Sequence, residues 1–201
     1  MSVCIYYHPE AYSTKGDRLM GRNAAGESFL KGFLLHAKPT DSFWVHNNSV
    51  EEVEDFSKLV KSYNRSENII PVNRMKYSRL KNASTLYFPG PNLTELARHR
   101  RFFGDDAWSI CGITHTTASA GAMDGIIDLI SSPIRAWDGL ICPSSAVKGH
   151  VLNLIEAQKE YLETELGARH FTLPEMPVIP LGVHPEDFIF SDKVCYFNIC
   201  I

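Results

Sequence analysis

Short apolar runs alternate with longer amphipathic stretches along the whole chain. The apolar runs have the length and composition of buried strands, and they are Val3–Tyr7, Phe43–His46, Asn68–Val72, Thr85–Phe88, Trp108–Thr114 and Gly139–Cys142. Strict alternation of strand and helix is typical of a parallel sheet with helices on both faces. The sequence therefore predicts an α/β fold of this kind.

Two of the amphipathic stretches have recognisable helix boundaries. The stretch Val50–Tyr63 follows Ser49, which is a good helix cap, and Glu52 stands three residues after that serine. The stretch Ala146–Leu166 keeps its apolar residues on one stripe and is followed by Gly167, which favours a helix end. We expect both stretches to be helices that cover the sheet.

Composition excludes some classes of partner. The chain has 201 residues, 44% of them hydrophobic, and a formal net charge of −3. This content is enough for a sizeable core, and there is no broad basic surface to hold nucleic acid or an anionic membrane. The basic cluster Arg98–Arg101 is predicted to lie on the solvated face of a helix.

Cysteine usage and hydropathy indicate the cellular compartment of the protein. The five cysteines show no C-x-x-C spacing and leave one unpaired in any disulfide scheme, which favours a reducing environment. Cys4, Cys111 and Cys142 are predicted to be buried thiols within strands. No run approaches the ~18 apolar residues of a membrane span, and no metal-binding spacing of Cys and His occurs. The sequence predicts a cytoplasmic protein without a metal.

A parallel sheet of this type binds ligands beyond the carboxyl ends of its strands. The first such turn leads through Gly21 and Gly26 into a helix. Gly26 would let the backbone approach a ligand, and the helix start would attract a phosphate. Glu27 is expected in the first helical turn, where it could accept hydrogen bonds from ligand hydroxyls. Arg22 and Asn23 are further candidate ligand contacts.

Two later strand ends provide further candidates. His115 and Thr116 follow Trp108–Thr114, so the imidazole is expected over the cleft, although a structural histidine is the alternative. Ser144 follows Gly139–Cys142 and precedes the long helix, where a serine ordinarily caps the helix. Ser144 is therefore a binding candidate whose structural role is also expected.

The segment Val178–Phe188 has the character of a hinge between two domains. Val178–Leu181 is predicted to be a short buried strand, Gly182 permits a turn, and Pro185 prevents continuation as a helix. The segment Ile179–Phe188 resembles the I-P-x-G-V-x-x-x-x-F crossover of family 4 glycosyltransferases of the GT-B type. Gly112–Thr116 is similar to the G-x-x-H-[TS/D] setting of that family, and Trp137–Ser145 is similar to its D-x-[VIL]-[VIC]-x-[PS]-S strand.

The resemblance implies a fold and an activity. Residues 1–188 would form the Rossmann-like, acceptor-side domain, and residues 189–201 would be an atypical tail where the donor domain should begin. The intact enzyme would transfer a sugar from a nucleotide-diphosphate sugar to a hydroxyl acceptor, with retention and without a cofactor. His115 would contact and orient the transferred sugar, with Thr116 beside it, and the Gly26 loop would border the cleft. On that loop Glu27 would accept hydrogen bonds from sugar hydroxyls, and Arg22 and Asn23 would contact the acceptor.

In the family a second domain supplies a basic pair and two glutamates separated by seven residues, and residues 189–201 contain neither. We therefore expect the chain alone to be inactive. Three alternatives stay open. The chain could be a non-catalytic sugar- or nucleotide-binding regulatory module, or the acceptor half of a split transferase. A nucleoside- or flavin-binding oxidoreductase is disfavoured because the chain lacks G-x-G-x-x-G. A second copy or a partner chain would cover the open cleft.

Overall fold

A single parallel sheet organises the protein. The computed structural model describes residues 2–15, 20–39 and 42–182. Six strands pair in parallel in the order β3-β2-β1-β4-β5-β6. They are β1 Val3–Tyr6, β2 Phe43–His46, β3 Ile69–Val72, β4 Thr85–Tyr87, β5 Ser109–Ile113 and β6 Gly139–Ile141. Each predicted strand is confirmed to within a residue at either end, and the fold is a Rossmann-like α/β fold.

Helices connect the strands. They are α1 Gly21–His36, α2 Val50–Ser62, α3 Leu80–Ala83, α4 Thr94–Arg100, α5 Ala120–Ile127 and α6 Ser145–Leu166. Three short 3₁₀ helices occupy Pro9–Tyr12, Arg74–Arg79 and Asp128–Ser131. No helix of the described residues is long and apolar enough to cross a membrane.

The predicted helix boundaries agree with the structure. The Ser49 hydroxyl accepts a hydrogen bond from the Glu52 backbone N–H at 3.3 Å, so it caps α2 as expected. Gly167 follows α6 with a φ of 64°, the left-handed conformation that ends a helix and that glycine adopts without strain.

The two faces of the sheet are buried in two separate cores. Successive residues of β1 point to opposite faces, so Cys4 packs into one core and Ile5 into the other, and both are fully buried. The Ile5 core is closed by α1 and α2, which contribute Leu30, Leu34, Phe56 and Val60. The Cys4 core is closed by α3 to α6, which contribute Leu80, Ala97, Ile126, Val151 and Ile155. Helices therefore cover both faces, as the sequence predicts.

The three described cysteines are free thiols. Cys4 and Cys142 are fully buried, as predicted, whereas Cys111 is only partly buried. Burial is the larger cause and the negative charge of Asp138 the smaller one, and together they raise the pKa of the Cys111 thiol to about 11. These thiols are therefore protonated at neutral pH and act as small apolar side chains.

The basic cluster at the end of α4 does not lie wholly on a solvated face, and that prediction is wrong for Arg100. Its side chain is fully buried, and its two terminal nitrogens contact the buried carboxylate of Asp138 at 2.5 and 2.7 Å. Arg98 and Arg101 are exposed, as predicted. A guanidinium is tolerated in the core here because a carboxylate and two backbone carbonyls receive its N–H groups.

The prediction of a buried strand at Val178–Leu181 is also wrong. Within the described residues, the sheet continues past β6 only through isolated bridges, at Glu175 and Val178. Val178, Ile179 and Leu181 are 41–49% exposed, so this segment is not a buried strand. The remainder of the predicted hinge, residues 183–188, the domain boundary at Phe188 and the tail 189–201 lie outside the described residues.

Candidate functional site

The strand order creates a crevice in the middle of the sheet. From β1 the chain continues to β2 on one side, and β4 lies on the other side of β1, so the connections diverge between β1 and β4. Ligands of open α/β sheets bind at such a switch point, outside the carboxyl ends of the strands. The residues that follow β1 and β4 are therefore the first candidates.

A cavity of about 180 Å³ lies at this point. We call it the switch-point cavity; its lining residues are His8, Glu10, Ala11, Arg22, Pro89 and His115. His8 comes from the end of β1, Pro89 from the end of β4 and His115 from the end of β5. Two of the predicted site residues, Arg22 and His115, are thus brought together.

The His115 imidazole is held by the end of the neighbouring strand. Its Nε2 lies 2.9 Å from the carbonyl oxygen of Pro89. Because a carbonyl only accepts, Nε2 carries the proton and Nδ1 carries the lone pair in the neutral ring. Nδ1 is buried and has no hydrogen-bond partner among the described residues. The ring therefore retains one unused acceptor beside the cavity.

His115 is neutral at physiological pH. Burial lowers the pKa of its imidazole, the hydrogen bond to Pro89 opposes that shift, and the positive charge of Arg22 lowers the pKa further. The preceding residue, Thr114, fixes the strand end: its backbone N–H and its hydroxyl both donate to the carbonyl of Ile141, at 2.9 and 3.0 Å. The imidazole is thus positioned on a rigid element.

His8 is a second histidine of the cavity. Its Nδ1 lies 3.1 Å from Oε1 of Glu52, a largely buried carboxylate in the first turn of α2. Burial would raise the pKa of Glu52, but hydrogen bonds from the Asn48 backbone N–H and from His8 together lower it, so the carboxylate stays ionised. An ionised partner at Nδ1 places the proton there, so the lone pair of the neutral ring is on Nε2, which lies 3.8 Å from Oε2 of the exposed Glu10.

Sequence reasoning missed His8 and Glu52. His8 lies two residues after β1, as His115 lies two residues after β5, so the strand-end rule that selects His115 would have selected it as well. Glu52 was recognised only as part of a helix start. Its contact with His8 joins residues 44 positions apart, so it follows from the pairing of β1 with β2 and not from a local pattern.

The glycine expected in a loop lies within a helix. The prediction that Gly26 borders a turn is wrong, because α1 begins at Gly21 and Gly26 falls in its second turn. A Cβ at Gly26 would lie 1.9 Å from the carbonyl oxygen of Ala11. The absence of a side chain therefore lets α1 pack directly against the 3₁₀ helix Pro9–Tyr12. A binding role for Gly26 stays a prediction.

Asn23 and Glu27 are engaged with the protein itself. The Asn23 side chain accepts from the Met20 backbone N–H at 3.0 Å and donates to the carbonyl of Glu10. Glu27 accepts from the Thr14 hydroxyl at 2.7 Å. The prediction that Glu27 stands in the first helical turn is wrong, because α1 begins six residues before it. Both side chains tie the long first loop to α1, and their contact with a ligand stays a prediction.

Thr116 and Ser144 lie outside the cavity lining. Thr116 is partly buried and follows His115 in the loop before α5. The Ser144 hydroxyl accepts from the Val147 backbone N–H at 3.2 Å and caps α6, which confirms its structural role. Contact between either residue and a substrate remains a prediction.

Within the described part of the chain, no group of three or more His, Cys, Asp or Glu side chains is arranged to hold a metal ion. No family model, curated protein or solved structure matches the chain. Function must therefore be inferred from the sequence motifs and from the geometry of the cavity.

Proposed function

We propose that this chain is the acceptor-side domain of a glycosyltransferase. The intact enzyme would transfer a sugar from a nucleotide-diphosphate sugar to a hydroxyl acceptor. The observation that carries the proposal is the placement of His115: a neutral, fixed imidazole with an unused nitrogen stands at the carboxyl end of β5 in the switch-point cavity. A neutral imidazole can accept a hydrogen bond from a sugar hydroxyl and orient it.

The small size of the switch-point cavity supports a binding site that is shared between two domains. Pockets that enclose a whole small ligand usually measure ~300–1,000 Å³, whereas the switch-point cavity measures about 180 Å³. It would therefore hold one part of a ligand, such as a single sugar ring, while the rest extends outward. In a two-domain transferase the second domain would enclose the remainder.

The course of the chain after β6 also supports the proposal. The described start of the hinge approaches α1, because the Ser28 hydroxyl donates to the Gly182 carbonyl at 3.0 Å. Three large apolar side chains of this segment, Val178, Ile179 and Leu181, are exposed. Exposed apolar surface of this kind is suited to a second domain, a partner chain or a second copy.

The charge that the reaction requires indicates which role each domain would have. Retaining transfer needs positive charge on the departing diphosphate. Arg22 is an exposed cation in the cavity lining and could contribute to this charge. The acceptor-side domain would mainly orient the sugar through His115. We further propose a cytoplasmic location, which the free thiols of Cys4, Cys111 and Cys142 support.

Binding can be tested with the chain as it is. We expect nucleotide-diphosphate sugars to shift the backbone amide resonances of Ile113–Thr116 and Arg22 in a ¹H–¹⁵N titration. His115→Asn removes the imidazole, with both its hydrogen bond to the Pro89 carbonyl and its Nδ1 acceptor, and we expect it to weaken binding by about tenfold. His150→Ala, at an exposed position of α6, is the matched control. Equal binding by both variants, or no shifts at all, would contradict the proposal.

A further inference from the structure

A second and larger cavity lies on the opposite face of the sheet from α1 and α2. It measures about 560 Å³ and opens between α4, α5 and the 3₁₀ helix Arg74–Arg79. We call it the Tyr6 groove, after the residue at the end of β1 that forms its floor. Its volume is within the ~300–1,000 Å³ range of small-molecule sites. Among the described residues, none that lines the switch-point cavity also lines this groove.

The floor of the groove is aromatic. The rings of Tyr6 and Phe88 meet edge to face, with centroids 5.0 Å apart. Tyr6 is fixed from behind by the buried ring of His46, which stacks on it at 4.4 Å. Tyr6 and Phe88 are only partly buried and line the groove. They therefore offer a rigid apolar surface to one face of a ligand.

A buried hydroxyl in the groove wall has no partner. Thr94, at the start of α4, is only 8% exposed, and its Oγ1 forms no hydrogen bond among the described residues. A buried polar group left without a hydrogen bond costs ~1–3 kcal/mol. A ligand hydroxyl in the groove would provide the missing partner.

Further polar groups stand on the opposite wall. Asp124 and Asp128 are exposed, lie four residues apart and form no ion pair or side-chain hydrogen bond within the described residues. Asn92 packs against α5 at Gly125, where a Cβ would come within 2.0 Å of the Asn92 Oδ1. Above the aromatic floor, the Asn92 amide can donate and accept hydrogen bonds, and the two carboxylates can accept them.

The charged residues that line the Tyr6 groove indicate which class of ligand it can bind. Two guanidinium groups, of Arg74 and Arg98, face three carboxylates, of Glu95, Asp124 and Asp128, and one pair is already formed between Arg74 and Glu95 at 3.4 Å. There is no excess of positive charge for a phosphate. The combination of aromatic rings, carboxylates, an amide and a hydroxyl matches a ligand with an apolar ring face and several hydroxyl groups.

We propose that the Tyr6 groove is a binding site for a neutral carbohydrate. The sugar ring packs on Tyr6 and Phe88, one hydroxyl bonds to Thr94, and others bond to Asp124 and Asp128. This site goes beyond the proposed transferase function, because its residues are separate from the His115 cavity and its occupancy requires no reaction.

The test is a ¹H–¹⁵N titration of the chain with glucose, mannose, galactose and myo-inositol, each as a separate probe. At least one probe should shift the amides of Asn92–Glu95 and Gly121–Gly125. Thr94→Val keeps the shape but removes the hydroxyl, and Asp124→Ala removes an exposed carboxylate. Each should weaken binding by about fivefold or more. Asp106→Asn, in an exposed turn, is the control and should bind as the parent chain does.

The outcomes separate this proposal from the transferase proposal. Shifts of the groove amides by a neutral sugar that persist in His115→Asn support the groove proposal even if no nucleotide sugar binds. Absence of groove shifts with all four probes would overturn it, as would shifts produced only by inorganic phosphate or only by the cationic probe spermidine. Unchanged affinity in both Thr94→Val and Asp124→Ala would overturn it as well, and circular dichroism establishes that each variant is folded.

Discussion

The carboxylate of Asp138 accepts hydrogen bonds from both terminal nitrogens of the Arg100 guanidinium: Nη1 lies 2.5 Å from Oδ1, and Nη2 lies 2.7 Å from Oδ2. Both side chains are fully shielded from solvent. The same carboxylate accepts the backbone N–H groups of Ile110 and Arg135, each at 2.8 Å. One buried ion pair thereby joins the end of α4, the start of β5 and the turn before β6. Removing either partner leaves a buried charge without compensation.

We expect Arg100→Met and Asp138→Ala each to lower the free energy of unfolding by about 3–5 kcal/mol. Urea denaturation followed by circular dichroism measures the change. Arg101→Met is the matched control, since Arg101 is exposed and its ion pair with Asp105 spans 3.8 Å. That variant should stay within about 0.5 kcal/mol of the parent chain. An effect of Arg100→Met as small as that of Arg101→Met would contradict the prediction.

Gly26 and Gly32 both lie within α1, but the space around them differs. A Cβ at Gly26 would meet the Ala11 carbonyl oxygen at 1.9 Å, whereas one at Gly32 would meet nothing within 4 Å. Gly26→Ala should therefore destabilise the fold by about 1–3 kcal/mol through overpacking. Gly32→Ala should stabilise it by up to about 1 kcal/mol, because alanine is the better helix former. Thermal unfolding of the two variants checks the signs, and equal effects would argue against the close packing.

The strands were predictable from the sequence because the information is local. Each apolar run is bounded by turn residues, and alternation with helices implies a parallel sheet. Ser49, Ser144 and Gly167 act at helix ends through bonds to residues a few positions away, so their roles are also visible in the sequence. The strand-end rule likewise selected His115 and Arg22, which do line one cavity.

Contacts between distant parts of the chain were not predictable. Arg100 appeared to belong to a solvated cluster, since nothing near it in sequence indicates Asp138, 38 positions away. Gly26 appeared to be a loop glycine. The contact that requires glycine there is with Ala11, which lies in another element and is distant in sequence. Val178–Leu181 has the apolar pattern of a buried strand, but its large side chains are exposed in the folded chain. Each of these depends on which elements pack together, and that is decided by tertiary structure.

Arg65 caps the end of α1 from a different part of the chain. Its Nη1 donates to the carbonyls of Leu34 and Ala37 at 3.1 and 2.8 Å, and its Nη2 donates to Lys38 at 3.3 Å. The last carbonyls of a helix have no partners within the helix, and a cation there also interacts favourably with the helix dipole. The guanidinium additionally lies 5.2 Å from the centre of the Phe43 ring.

We expect Arg65→Ala to lower the free energy of unfolding by about 2–3 kcal/mol, because several hydrogen bonds from one charged group are lost together. Arg65→Lys should recover only part of this, since an ammonium cannot reproduce the planar fork. The control is Arg79→Ala, which removes a single long bond of 3.5 Å to the Pro71 carbonyl. Urea denaturation gives the ranking, and similar losses for Arg65→Ala and Arg79→Ala would contradict the capping role.

His46 is a buried imidazole at the end of β2. It is 1% exposed, it stacks on Tyr6, and neither ring nitrogen has a hydrogen-bond partner among the described residues. Burial is the largest cause that lowers its pKa, and the positive charge of Arg74 acts in the same direction. The negative charge of Glu52 opposes both, and the net result is a pKa lowered from 6.5 to about 4. The ring is also in edge contact with Tyr77, which stacks on His99. The folded protein therefore holds His46 neutral well below the pH at which the unfolded chain would protonate it.

Because the unfolded state binds this proton and the folded state does not, the contribution of His46 to stability is fully present above pH 6.5 and is lost as pH falls from 6.5 to about 4. The loss should amount to about 3 kcal/mol. Urea denaturation at several pH values in this window measures it. His46→Phe and His46→Asn should both show a shallower decline than the parent chain, because each removes the titrating group. His150→Ala, at an exposed site, should keep the parent slope. Parallel curves for the parent chain and both His46 variants would mean that other groups, such as the carboxylates, govern the acid sensitivity.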